Sequence, residues 1–64
     1  MLPHQQRVVD EKKELDDKLT KLIQFFDNAL FQSISSDEQE RLRRQSDIMT
    51  QYSVVLGERI AAFE

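Results

Sequence analysis

Apolar residues recur at steps of three and four in the first half of the chain, between His4 and about Asn28. They are Val8, Leu15, Leu19, Leu22 and Phe26. Because a helical turn takes 3.6 residues, these steps place them on one face of a helix. Pro3 suits the first turn, where its missing amide hydrogen has no partner to lose. The pattern predicts helix one over residues 4–28.

A second apolar pattern, spaced by sevens, follows in the other half of the chain. Its members are Leu42, Met49, Leu56 and Phe63. A repeat of seven keeps one stripe of a helix facing a partner helix, as in a coiled coil. Ser35 followed by Glu38 has the spacing of a capping box, which favours a helix start near Ser36. We therefore expect a bend over 29–35, with room for one short helical turn, and helix two over 36–63.

Together these elements predict an all-α fold, a single-domain antiparallel two-helix hairpin over residues 1–64. Several apolar residues lie outside the predicted seam between the helices: Ile23 and Phe25 on helix one, and Ile48, Val54, Val55 and Ile60 on helix two. One partner helix cannot cover both sets, and a hairpin has no further layer to bury them. The pattern therefore predicts a homo-oligomeric helical bundle.

Composition supports self-association and narrows the range of partners. A single core of 64 residues rarely supplies more than about 3–5 kcal/mol, and without cysteine neither a disulfide nor a thiolate zinc site can add to it. The net charge of −3 opposes binding to DNA or RNA polymers. No apolar run approaches the roughly 20 residues that span a membrane. We expect a protein with no membrane partner, located in a cytoplasm.

No group of residues suggests catalysis, a metal site or a cofactor, because the chain has one histidine, no cysteine and no glycine-rich phosphate loop. The polar residues Gln45, Tyr52 and Arg59 are spaced by seven along one edge of helix two. They either cover the hairpin edge with their stems or form a ladder of hydrogen-bond donors with a stacking ring. In an antiparallel hairpin, Arg59 approaches the start of helix one.

The start of helix one carries four consecutive polar residues, His4, Gln5, Gln6 and Arg7. With Arg59 close by, they could form an anion site, because a helix N-terminus offers free amides and a favourable dipole. The alternative is a frayed, solvated terminus.

A second basic group lies early in helix two. Three arginines lie within four consecutive positions, Arg41, Arg43 and Arg44, and Gln39 comes just before them. They are either a solvated face paired with neighbouring glutamates or, where symmetry brings copies together, a site for an anionic ligand.

Three segments of the chain resemble a phage family of helical-hairpin proteins, the anti-CBASS and anti-Thoeris sponges that sequester cyclic nucleotide signals of bacterial immunity. The segments are LPHQQRVVDEK, the pair Phe25 and Phe26, and QSDIMTQYSVVLGERIAAF. The resemblance covers about residues 4–63, including the ladder Gln45, Met49, Tyr52, Leu56 and Arg59.

This resemblance implies a homo-oligomer, a hexamer in the characterised sponges, that binds its ligand without cleaving it in the cytoplasm of the infected host. It implies a cyclic dinucleotide-type pocket formed by His4, Gln5, Arg7, Tyr52 and Arg59. It implies a cyclic trinucleotide-type site formed by Gln39, Arg41, Arg43 and Arg44. Characterised sponges carry additional structure before the hairpin, and this chain begins almost at its first helix. A minimal hairpin is expected to keep one ligand class, to bind another nucleotide, or to keep assembly alone. The alternative function is a structural module that docks on a phage or host protein.

Overall fold

The computed structural model describes all 64 residues and contains three helices and no strand. Helix α1 spans Pro3–Phe25, α2 spans Ala29–Ser33 and α3 spans Ser36–Ala61. Helices α1 and α3 pack against each other as an antiparallel pair, and the molecule measures 47 × 15 × 13 Å. The predicted all-α fold is confirmed, and the bend contains a helix of five residues. Assembly into an oligomer stays a prediction.

Side chains cap the start of each helix. The Leu2 amide donates to the Gln5 side-chain oxygen at 3.0 Å, which ties down the entrance of α1. The Leu30 amide donates to Asn28 Oδ1 at 2.9 Å, and the Glu38 amide donates to Ser35 Oγ at 3.2 Å. The capping box predicted at α3 is therefore half formed, because the Glu38 carboxylate accepts a bond from Arg41 Nε instead.

The bend is held by an aromatic cluster around Phe31. This ring is fully buried, with the ring centroid of Phe25 at 5.8 Å and that of Phe26 at 5.1 Å. The Gln39 amide donates to the carbonyl oxygens of Phe31 and Ile34 at 2.8 and 3.3 Å, which fastens the bend to the first turns of α3. The expectation that Phe25 is left over is wrong, because its ring packs edge-on against Phe31 at 83°.

The seam between α1 and α3 follows the two predicted apolar stripes. Val8 and Leu56 are buried, and the other members of both stripes are half-buried: Leu15, Leu19, Leu22, Phe26, Leu42, Met49 and Phe63. Ile60, expected outside the seam, is also half-buried, since it follows Leu56 by four residues on the same face. Buried Ser46 and Ser53 occupy the remaining seam positions of α3. The seam therefore alternates apolar and small polar residues.

A polar layer crosses the middle of the seam. Lys12 Nζ donates to Asp16 Oδ2 at 2.8 Å and to Ser53 Oγ at 2.9 Å, and Ser53 Oγ donates to the other Asp16 oxygen. The bond from Lys12, and then that from Ser53, lowers the pKa of Asp16 from its ordinary value. Gly57 leaves room for the Lys12 stem, whose Cε would lie 3.3 Å from a Cβ at that position. This layer fixes the register of the two helices.

Candidate ligand-binding surfaces

The arginines of early α3 do not form one cluster. Arg41 and Arg44 point to the same side of the helix, where they line an open depression of about 480 Å³ with Gln45, Ile48 and Met49. Arg43 points elsewhere, with its guanidinium carbon 5.0 Å from the centroid of the Phe31 ring. This difference follows from helical geometry, because residues 41 and 44 are one turn apart whereas residue 43 lies on the far side.

The depression combines free positive charge with an apolar floor. Arg44 makes no ion pair, and Arg41 pairs with Glu38 at 2.8 Å, where both side chains are about half exposed. Such an exposed pair is weak, so Arg41 can exchange Glu38 for another anion at little cost. Ile48 is 66% exposed and offers an apolar surface beside the two guanidinium groups. These groups suit a ligand with phosphates and a flat ring.

Gln39 and Arg43, the other two residues predicted for this site, serve the bend. The Gln39 amide is committed to two backbone carbonyls. The Arg43 guanidinium lies over a ring, a contact worth about 0.5–1 kcal/mol at exposed sites. Of the four predicted residues, the structure therefore brings together Arg41 and Arg44.

The residues predicted at the start of α1 are only partly brought together. His4 and Arg7 are exposed, whereas Gln5 is buried and its oxygen is used by the Leu2 amide. The bonds that Lys12 and Asp16 make with Ser53 set the register of the helices. In that register Arg59, six residues after Ser53, is level with residues 6–10.

Tyr52, by contrast, lies about 10 Å along the helix from Arg59, because seven residues of helix separate them at 1.5 Å each. The tyrosine is 44% exposed. Within one chain, Arg59 is level with residues 6–10 of α1, and Tyr52 stands at another level.

The polar ladder and the unpartnered apolar residues of α3 form a single surface, which we call the outer stripe. It consists of Arg41, Gln45, Ile48, Tyr52, Val55 and Arg59, and its steps alternate between four and three residues. All six residues are exposed. Sequence reasoning treated the polar and apolar members as two sets, and the shared heptad spacing is the signal that joins them.

Two findings limit other kinds of site. No group of histidine and acidic side chains is arranged to hold a metal ion. None of the helices has the length and apolar character needed to cross a membrane.

Comparison with known proteins indicates a phage family. The model of a family described as Sequestin matches residues 2–62. A protein of Enterobacteria phage T4, described as an uncharacterized 7.5 kDa protein in the denB-rIIB intergenic region, is 39% identical over 64 residues. That match covers the whole of both chains. No solved structure matches the chain significantly.

Proposed function

This chain belongs to the Sequestin family, and from that premise we propose that it is a phage counter-defence protein that sequesters cyclic oligonucleotide immune signals. The family name suggests sequestration, which means binding rather than catalysis. The phage T4 homologue supports a role in phage infection. In this function no bond of the ligand is broken, and the signal is withheld from the host effector by tight binding alone.

The observation that carries this proposal is the convergence of Arg41 and Arg44 over the apolar surface of Ile48 and Met49. A cyclic oligonucleotide presents backbone phosphates beside flat bases. Guanidinium groups bind phosphate oxygens in a bidentate manner, and the neighbouring apolar side chains shield one face of a base from water. In an acidic protein, this local pair of positive charges favours a compact anionic ligand over a long nucleic acid polymer.

The depression is too open to enclose a ligand by itself, since all its residues come from one helix. Binding sites for small molecules usually bury most of the ligand surface. In the proposed homo-oligomer, a hexamer, a second copy of the chain would supply the missing wall. His4, Arg7 and Arg59 would then supply further anion contacts, with cyclic di- or trinucleotides as the candidate ligands.

Calorimetric titration with a panel of cyclic di- and trinucleotides tests the proposal. We expect heat of binding with at least one of them at micromolar protein, and Arg44→Ala should remove that heat while the oligomer persists. Arg43→Ala is the matched control. It removes the same positive charge one position along the chain from Arg44, and the Arg43 side chain faces the bend instead of the depression. The absence of heat with every member of the panel would refute the proposal.

A second candidate function, a structural module that docks on another protein, is favoured by the exposed apolar side chains Leu30, Ile48, Val54 and Val55. Native mass measurement of the purified chain separates the two. A single closed homo-oligomer supports sequestration, since self-association then covers these surfaces. A monomeric or polydisperse chain supports the docking module, whose heterologous partner is missing.

A further inference from the structure

The outer stripe of α3 has the pattern of a coiled-coil seam without a partner. Its residues alternate by four and three over 41–59, which is the spacing that α3 uses to pack against α1. Its apolar centre is exposed, with Ile48 at 66%, Val55 at 49% and Tyr52 at 44%. A helix face with this spacing fits another helix with the same spacing.

We propose that the outer stripe binds the same stripe of a second copy, with the two α3 helices antiparallel about a two-fold axis at the level of Thr50. This register sets Ile48 against Tyr52 of the partner subunit, and Gln45 against Val55 of the partner subunit. By symmetry each contact occurs twice, so that four apolar side chains form the centre of the interface.

The exposed area of the chain agrees with one such interface. The total accessible surface is 4999 Å², whereas a compact monomer of 7.6 kDa is expected to expose about 4,300 Å². The excess of about 700 Å² comes with the elongated shape of the hairpin, and it leaves an exposed area of the same order as the roughly 800 Å² that each partner buries in a standard protein interface.

Charge along the stripe favours the antiparallel orientation. Arg44 and Glu58 lie on the same flank of the stripe, fourteen residues apart and equally far from Gln51. In the antiparallel register, Arg44 of one copy and Glu58 of the partner subunit lie within about 3 Å of each other along the helix axis, whereas a parallel register would set each of these residues against its own copy. Arg41 and Arg59 meet an arginine in either orientation and do not distinguish the two. The antiparallel arrangement also opposes the two helix dipoles.

The same register joins basic residues that are far apart in one subunit. Arg41 and Arg59 are about 27 Å apart along α3, but Arg41 of one copy faces Arg59 of the partner subunit. The Arg41 end of the open depression thus gains a wall and a third guanidinium group from the second copy. Ile48 at the other end is covered by Tyr52 of the partner subunit, so that Met49 remains as the apolar surface for a ligand. This step rests on the proposed function, and it makes the two predicted sites parts of one site that repeats at each end of the interface.

Single-cysteine variants test the interface without any ligand, because the chain has no cysteine of its own. With a short bifunctional thiol reagent, Gln51→Cys should cross-link to itself, since this position lies beside the two-fold axis. Glu58→Cys alone should not, because its two copies would be about 24 Å apart along the helices. A mixture of Arg44→Cys and Glu58→Cys should cross-link. Efficient self-linking of Glu58→Cys, or no linking of Gln51→Cys, would overturn the proposal.

Sedimentation of charged variants provides an independent measurement. Ile48→Glu should lower the sedimenting mass of the assembly, whereas the control Val54→Glu should not, because Val54 is 56% exposed but lies off the stripe. Circular dichroism verifies that both variants remain helical. An unchanged mass for a helical Ile48→Glu variant, or an equal loss with Val54→Glu, contradicts the interface.

The composite site has its own test once the calorimetric panel has identified a ligand. Arg59→Ala should weaken binding of that ligand at least tenfold, as is also expected of Arg44→Ala, although the two residues are far apart in one subunit. Normal binding by Arg59→Ala together with the predicted cross-links would refute the shared site and leave the interface standing. Cross-links that fail while Arg44→Ala still abolishes binding would refute the interface and leave the proposed function standing.

Discussion

Replacing Gly57 by alanine sets two effects of comparable size against each other. Gly57 lies inside α3, where alanine is favoured over glycine by about 0.8–1.0 kcal/mol. The new Cβ would lie 3.3 Å from Lys12 Cε, which is close enough that the lysine must shift by a few tenths of an ångström. A free lysine stem would make this shift at no cost, but this one is held at its end.

The cost of moving Lys12 follows from the bonds of its ammonium group. That group pairs with Asp16 at 2.8 Å and donates to Ser53 at 2.9 Å. The Lys12 and Asp16 side chains are 31% and 43% exposed, so solvent screens the ion pair to about 0.2–1 kcal/mol. The bond to Ser53 contributes about 0.5–1.5 kcal/mol. Weakening both offsets most of the gain, and we expect Gly57→Ala to change the stability of the native sequence by less than about 0.5 kcal/mol.

A double-mutant cycle isolates this coupling. In a Lys12→Ala background the stem is gone, and Gly57→Ala should then give its full gain of about 1 kcal/mol, a rise in Tm of about 4–8 °C for a domain of this size. Thermal unfolding of the four chains, followed by circular dichroism at one protein concentration, measures the difference. An equal gain in both backgrounds would show that Lys12 is not held by its bonds across the seam, and would refute the reasoning.

Three further predictions concern the fold. Leu56→Ala removes a fully buried side chain and should cost about 2–5 kcal/mol, enough to abolish most helical circular dichroism, whereas Leu30→Ala, at a position 65% exposed, should not. Asp16→Asn should lower Tm at neutral pH. Folding lowers the pKa of Asp16 below its ordinary value of 3.8, so the ionised carboxylate stabilises the folded chain above pH 3.8. This contribution is lost as the pH falls through the lowered pKa. The difference in Tm between the Asp16→Asn variant and the native chain should therefore close in acid. Gln39→Leu should cost about 1–3 kcal/mol through two lost bonds to bend carbonyls, measurable by urea unfolding, and a Gln39→Leu chain as stable as the native one would contradict that role.

The long helices could be predicted because their apolar residues repeat with the helical period over many turns. The polar members of the seam could not. Three polar residues occupy seam positions where the helical period leads one to expect apolar residues: Lys12, Ser46 and Ser53. Their role depends on which residue lies opposite in the other helix of the hairpin. That register depends on the polar layer itself and on the bend, whose aromatic packing around Phe31 involves contacts that no local pattern specifies.

The candidate site shows the same division. The separation of Arg43 from Arg41 and Arg44 was available from the sequence, since adjacent helical residues are 100° apart. What removed Gln39 and Arg43 from the site was the position of the bend, which places a ring and two backbone carbonyls beside them. Proximity along the chain therefore overestimated the size of the arginine cluster, and helical phase corrects it.

The distribution of apolar residues over α3 links folding to sequestration in the proposed assembly. The seam that holds the hairpin together includes Ser46 and Ser53, whereas Ile48, Tyr52 and Val55 lie on the outer stripe. A hairpin that depended on its own core alone would carry apolar residues at the serine positions of the seam and polar residues on the outer stripe, because burial of apolar area is the main source of stability in a chain this small. Association of the outer stripes then supplies stability and completes the basic site in one event. A ligand that binds across the interface must in turn stabilise the assembly, by RT ln(1 + [L]/Kd) for each site, so that ligand capture and subunit association strengthen each other.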